Sequence, residues 1–316
     1  MEAVARAQWD SKGGLGESRS RARLARAQSS ARLAYRFGGP VLIIASSASL
    51  QTSAALATSI FAVYGPAGTG ALRFAFAAPV LLLLARPTLR GRSPRFWLSA
   101  VTFGATLAAM NFVLYEAIAR VSLGTVVTLQ FLGPLTLGLL AVRRRLDALW
   151  VAAAAGGVLS LTGGPSGGAT IGVALALVAA ALTALSLLMA HRLATESSGL
   201  DGLALAVSIA ACITLPLAIP AALATRGPRD LALVAAVAVL GIGLPYILEY
   251  VAIRAVSVKT FSVLLSLDPA IALLAGALWL GQTLAPSEML GVGLVVVASA
   301  GVMATQRGDD PGEPSA

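Results

Sequence analysis

Between residues 40 and 304 the chain returns ten times to the same kind of stretch: an apolar run of about 20 residues closed by a short polar or cationic link. At 1.5 Å per residue, one such run crosses a hydrocarbon core roughly 30 Å thick. The runs lie at approximately 40–62, 66–85, 96–117, 122–141, 147–163, 170–190, 201–223, 231–253, 257–280 and 287–304. They are rich in Leu, Ala and Gly and lack the strict alternation of a barrel strand, so they predict helices. Only 12% of the 316 residues are charged, against about 25% in ordinary soluble domains. The expected class is an all-α polytopic membrane protein with ten transmembrane helices.

The net charge of +9 could suggest nucleic acid, but the cations sort by loop and form no binding patch. Eight fall in the leading segment, and Arg86, Arg90, Arg92, Arg95, Arg143, Arg144, Arg145, Arg192, Arg254, Lys259 and Arg307 follow in alternate links. The opposite links hold Arg120, Arg226 and Arg229. That bias places both termini in the cytoplasm of a multi-pass plasma-membrane protein and favours an even number of crossings. Residues 1–39 read as a disordered basic tail attracted to lipid headgroups, and 305–316 as a polar cytoplasmic stub.

Cys212 and His191 are each the sole residue of their type. A disulfide framework, bis-histidine haem, zinc sites and a Ser-His-Asp set therefore lack the groups they need, and no metal or other cofactor is expected. No G-x-x-x-x-G-K-[ST] motif is present, which excludes an ATPase on this chain. An integral-membrane transferase is disfavoured by the short links, which leave little room for a nucleotide-sugar site.

Residues 115–134, "YEAIARVSLGTVVTLQFLGP", align without a gap on residues 250–269, "YVAIRAVSVKTFSVLLSLDP", with nine identities in twenty positions. The offset of 135 residues spans five helices, so the second copy enters the bilayer in the opposite sense. Two inverted five-helix repeats follow, at 40–163 and 170–304, an arrangement typical of secondary transporters. Pro134 and Pro269 occupy corresponding places near mid-membrane. Each removes an N–H and disturbs the carbonyl four residues earlier, so each is read either as a helix break beside a central site or as a plain kink.

The stretches "SIFAVYGPAGTGALRFAFAAPVLLLLARP", "FLGPL", "LPYILEYVAI" and "LSLDPAIALLAGALWLGQTL" resemble the EamA family of the drug/metabolite transporter superfamily, particularly its threonine/homoserine exporter branch. The resemblance covers residues 40–304. It implies a bacterial inner-membrane exporter of amino acids or related small metabolites, with no enzymatic activity. A sensor or scaffold of the same fold that moves nothing is the alternative. The chain departs from the branch where Asp268 replaces glutamate before proline, and where Gln282 and Gln130 replace glutamates. Two titratable groups are thereby lost.

An aspartate at helix centre costs about 2.5–3.5 kcal/mol on the insertion scale, so Asp268 is expected to face a hydrated space between the repeats. There it takes a proton, meets a substrate ammonium, or is simply a hydrogen-bonded packing residue. Arg73 needs a carboxylate, carbonyls or water. Glu116 is a depth-compatible partner for it, and a substrate carboxylate is the alternative. Glu249 reads as an inner gate or an interfacial ion pair. Ser46, Ser49 and Ser53 form a stripe that either faces the cavity or binds helices together. Asn111, Gln130, Tyr246, Tyr250 and Ser266 complete the expected lining for a small-molecule substrate, with protons as a candidate co-substrate. Gly291, Gly293 and Gly301 in the last span read as a packing or homodimer surface.

Overall fold

The structure, a computed structural model, describes residues 38–141, 147–162, 167–197, 200–252, 256, 263–283 and 285–305. Most of the basic tail, the C-terminal stub beyond Thr305, and Arg143, Arg144, Arg145, Arg254 and Lys259 lie outside the described residues. All regular structure among the described residues is helical. The helices are α1 (Gly38–Ser59), α2 (Phe61–Ala85), α3 (Pro94–Ile118), α4 (Leu123–Gln130), α5 (Leu132–Ala141), α6 (Asp147–Thr162), α7 (Gly167–Glu196) and α8 (Asp201–Leu223). They continue with α9 (Pro228–Ala238), a π turn (Val239–Gly243), α10 (Leu244–Ala252), α11 (Asp268–Leu280) and α12 (Pro286–Thr305).

Among the described residues, seven helices are long and apolar enough to cross a membrane: α1, α2, α3, α7, α8, the run Pro228–Glu249 through the π turn, and Val263–Leu280. The runs at 122–141 and 147–163 hold shorter helices, and the run at 287–304 holds α12. Residues 122–141 divide into α4 and α5 at Phe131, three residues before Pro134. The matching interruption, at Ser266 and Leu267, lies just before Pro269, with Ser266 N and Leu267 N closing tight turns on Val263 O and Leu264 O.

Helix ends follow local chemistry. Ser93 caps α3 by accepting from Phe96 N at 3.1 Å, with Pro94 pre-set for the first turn. Ser122 caps α4 through Thr125 N at 3.3 Å. Gly65, at φ 67°, breaks the first turn of α2 in a conformation that costs glycine nothing. The continuous membrane-crossing part of α2 therefore begins at Pro66.

α2 packs on α8 and α9, α3 on α7 and α8, α4 on α11, and α6 on α12. One buried cluster, with Ile60, Tyr64, Leu72, Tyr115, Ile118, Leu123 and Val237, fills the end of the bundle near the α3–α4 link. A second, with Phe74, Leu81, Phe96, Phe103, Leu193 and Leu205, fills the end near the α7–α8 link. Leu83, Leu223 and Leu278 point outward and are more than 70% exposed. In water such an apolar exterior would drive association, whereas lipid tails solvate it.

Candidate functional site

A cavity of about 470 Å³ lies where the two clusters meet. Its deep wall comes from Gln51 and Ala54 of α1, Arg73 of α2, Asn111, Tyr115 and Ile118 of α3, and Gln130 of α4. From there it runs past Ser186, Leu187 and Glu249 to Ala194, Ser197 and Leu203 beside the α7–α8 link. Ile118 is buried and Ala194 exposed, so the space opens at the latter end.

Arg73 is 6% exposed and has no carboxylate partner among the described residues. Its Nη1 donates to Asn111 Oδ1 at 3.3 Å and to Tyr115 Oη at 3.0 Å, and its Nη2 donates to Gly241 O. Nε is buried without a partner. The Gly241 carbonyl is free to accept because Pro245, four residues on, has no N–H to close the helix onto it. The π turn extends the effect. Leu244 N bonds Val239 O, which leaves Leu240 O for the Ser49 hydroxyl at 2.7 Å. Loosened turns of this kind are frequent where a helix serves a site.

The expected partnership of Arg73 with Glu116 is corrected. Asn111 and Tyr115 are four apart and share one face of α3. Glu116 lies about 100° further round and accepts from Arg120 Nη1 at 2.6 Å. Among the described residues the only other ion pair is Arg92 with Asp201, at 2.5 Å.

Ser49 is also reassigned. Ser49 and Ser53 donate to Leu240 O and Val237 O, and Ser46 shares its one proton between Glu249 Oε1 at 2.8 Å and Pro245 O at 3.3 Å, stitching α1 to α9, the π turn and α10. The stripe is helix-packing glue, and Gln51 is the polar α1 residue in the cavity wall. Ser266 turns its hydroxyl back onto Val263 O at 2.6 Å and does not line the cavity. Tyr246 and Tyr250 belong to α10, and their side chains lie outside the described residues.

Gln130 lies in the wall and donates from Nε2 to Thr183 Oγ1 at 3.0 Å. Asn111, buried, also donates to Leu107 O at 3.3 Å. Glu249 lines the cavity and accepts from Ser46 Oγ at 2.8 Å. Asp268 does not look into the cavity. It opens α11 with its carboxylate buried beside the Ser47 hydroxyl of α1.

Thr183 and Ser186 were absent from the expected lining, although their three-residue spacing puts both on one face of α7. A second network closes the opposite end. Glu288 Oε1, from the first turn of α12, accepts from Ser122 Oγ at 2.7 Å and from Thr125 Oγ1 at 3.1 Å. Gln282 Oε1 accepts from Leu123 N at 3.2 Å.

Comparison with known proteins adds four findings. Residues 170–304 match the model of the EamA-like transporter family. The threonine/homoserine exporter RhtA of Escherichia coli strain K12 is 35% identical over 271 residues, 84% of this chain and 92% of that protein. Its namesake in Salmonella typhimurium strain LT2 is 36% identical over 271 residues, 84% of this chain and 91% of that protein. A solved crystal structure, described only as that of a protein, superposes with a TM-score of 0.55 over 85% of this chain and 97% of its own, at 18% identity. That likeness extends to the fold alone.

Proposed function

This chain belongs to the EamA-like transporter family, and we propose that it acts as a secondary active exporter of amino acids or related small metabolites in the bacterial inner membrane. Threonine and homoserine, the substrates in the names of the relatives, are the first candidates. The observation that carries the reading is Arg73, a buried guanidinium in the cavity wall whose partners are all neutral. A guanidinium does not discharge in a protein, and its neutral hydrogen-bond partners leave its charge for an anion to cancel. A substrate carboxylate entering the cavity is that anion. The volume of about 470 Å³ falls within the roughly 300–1,000 Å³ of small-molecule sites.

Alternating access is the mechanism in this reading, with ten spans arranged as two inverted halves. The packing supports it. Under the offset of 135, α2 corresponds to α8 and α6 to α12, and each of these pairs is in contact. The contact of α3 with α8 has its counterpart in α2 with α9. With both termini cytoplasmic, as the loop cations favour, the mouth beside the α7–α8 link faces the cytoplasm. The Glu288 network then closes the external side, so the conformation is the loading state of an exporter.

The test is counterflow of labelled threonine, and of a panel of other amino acids, in liposomes carrying the purified protein. Exchange is expected for the wild type, with a loss of at least tenfold in Arg73→Gln protein that still runs as a folded species on size exclusion. Unchanged exchange in that variant removes Arg73 from substrate binding. No exchange of any amino acid by the wild type sinks the reading itself.

A further inference from the structure

A second concavity, of about 270 Å³, lies on the outside of the bundle and shares no residue with the cavity. It is a groove between α2 and the run from α9 through the π turn to α10. Phe76, Val80 and Leu84 wall one side, and Val239, Leu244 and Ile247 the other. No polar side chain lines it. All of these wall residues except Phe76 are exposed, so the groove opens sideways, toward the lipid that covers this surface. Small residues keep it hollow. Ala77 and Ala238 are buried at its base, and Gly243 has nothing within 4 Å of the place a Cβ takes.

Its length is that of one leaflet. Phe76 to Leu84 is about 12 Å of helix and Ala235 to Ile247 about 18 Å, against about 15 Å for half of a 30 Å hydrocarbon core. One end reaches headgroup level, because α2 stops at Ala85 and Arg86 follows two residues after Leu84. Arg86 and Arg90 are exposed, and neither side chain has a hydrogen bond or an ion pair among the described residues. Arg92, by contrast, is paired with Asp201 and lies over the Phe96 ring. The opposite end is less cationic: Arg229 stops six residues short of Ala235, and Asp230 lies between them. Glu249 comes two residues after Ile247 but, about 200° further round α10, lines the cavity instead.

We propose that this groove binds one anionic phospholipid, with an acyl chain between α2 and α10 and the phosphate on Arg86 and Arg90, and that the chain braces the π turn from its lipid side. Guanidinium groups match phosphate oxygens in pairs, and basic pockets between membrane helices on the cytoplasmic side bind anionic headgroups. The brace follows from shared elements. α2 carries Arg73 one turn before Phe76, and the π turn presents Gly241 and Ile242 to the cavity but Val239 and Gly243 to the groove. An occupied groove therefore limits outward movement of the turn whose Gly241 carbonyl holds Arg73. The leaflet rests on the orientation proposed above; binding itself needs neither that orientation nor the export reading.

The test is native mass spectrometry of the purified full chain offered phosphatidylglycerol or phosphatidylcholine with identical acyl chains. Wild type is expected to retain one phosphatidylglycerol at least tenfold more strongly than phosphatidylcholine. Arg86→Gln combined with Arg90→Gln should lower phosphatidylglycerol to the phosphatidylcholine level. Gly243→Leu and Val80→Trp, which fill the groove from its two sides, should each lower phosphatidylglycerol retention at least tenfold while eluting as folded protein. A wild type without headgroup preference, or retention unchanged in both groove-filling variants, overturns the site. A dimer that Gly243→Leu dissociates assigns the groove to a second copy and overturns it as well. Hydrogen exchange at the amides of residues 239–247, read in nanodiscs without substrate, tests the brace. Phosphatidylglycerol should slow it at least threefold relative to phosphatidylcholine in the wild type and leave it unchanged in the double arginine variant. Equal exchange in the two lipids overturns the brace.

Discussion

Gly241 is the residue on which the Arg73 site turns. A Cβ built there overlaps Ser53 Oγ and stands 2.6 Å from Arg73 Nη2 and 2.8 Å from Cζ, closer than van der Waals contact permits, so it presses on the α1 hydroxyl as well as the guanidinium. Gly241→Ala is therefore expected to push the guanidinium off its carbonyl and raise the threonine KM about tenfold or more in liposome uptake. Gly243→Ala, with nothing within 4 Å of its Cβ, is the control and should leave KM unchanged. Neighbouring side chains were harder to read from sequence. Arg73 stood out as a charge in an apolar run, but its partners did not, because depth along the membrane says nothing about rotation around a helix. Glu116 has the right depth and the wrong face. The i, i+4 relation of Asn111 with Tyr115, and of Glu116 with Arg120, carries the information that depth lacks.

At the scale of helices, α1 presents one face to α9 and α10 and another to the cavity, and the two can be separated by substitution. Ser49→Ala strips Leu240 O of its donor and is expected to destabilise the protein by about 0.5–2 kcal/mol with threonine KM unchanged. Gln51→Ala should raise KM with little change in stability. Unfolding in detergent and liposome uptake, run on the same two preparations, check both. The helices themselves follow the apolar runs closely, since length and hydropathy suffice to specify a span. Interruptions were readable where proline causes them, at Phe131 ahead of Pro134 and at Ser266–Leu267 ahead of Pro269; the break at Gly65 was not. The π turn was not, because "VLGIGLP" is apolar throughout. It arises from Pro245 acting together with a guanidinium contributed by another helix, a tertiary cause that no local pattern records.

For the whole molecule, the proposed export cycle requires the end held by Glu288, Ser122 and Thr125 to part for release on the far side. The backbones of α4 and α11 come close there, a Cβ on Gly124 lying 3.2 Å from Leu273 Cβ, near the roughly 3.5–4.5 Å of a disulfide. In a Cys212→Ala background, the pair Gly124→Cys and Leu273→Cys is expected to crosslink on oxidation and stop counterflow, with recovery on reduction. Exchange that persists in the oxidised protein would show that this end does not open. The unneutralised guanidinium has a consequence of its own. A resting cell's voltage works on every charge displaced through the bilayer, at about 2.3 kcal/mol per elementary charge for each 100 mV. A vacant carrier with Arg73 bare and one with Arg73 cancelled by an anion respond differently to that field. Cargo can then decide which half of the transport cycle is electrogenic.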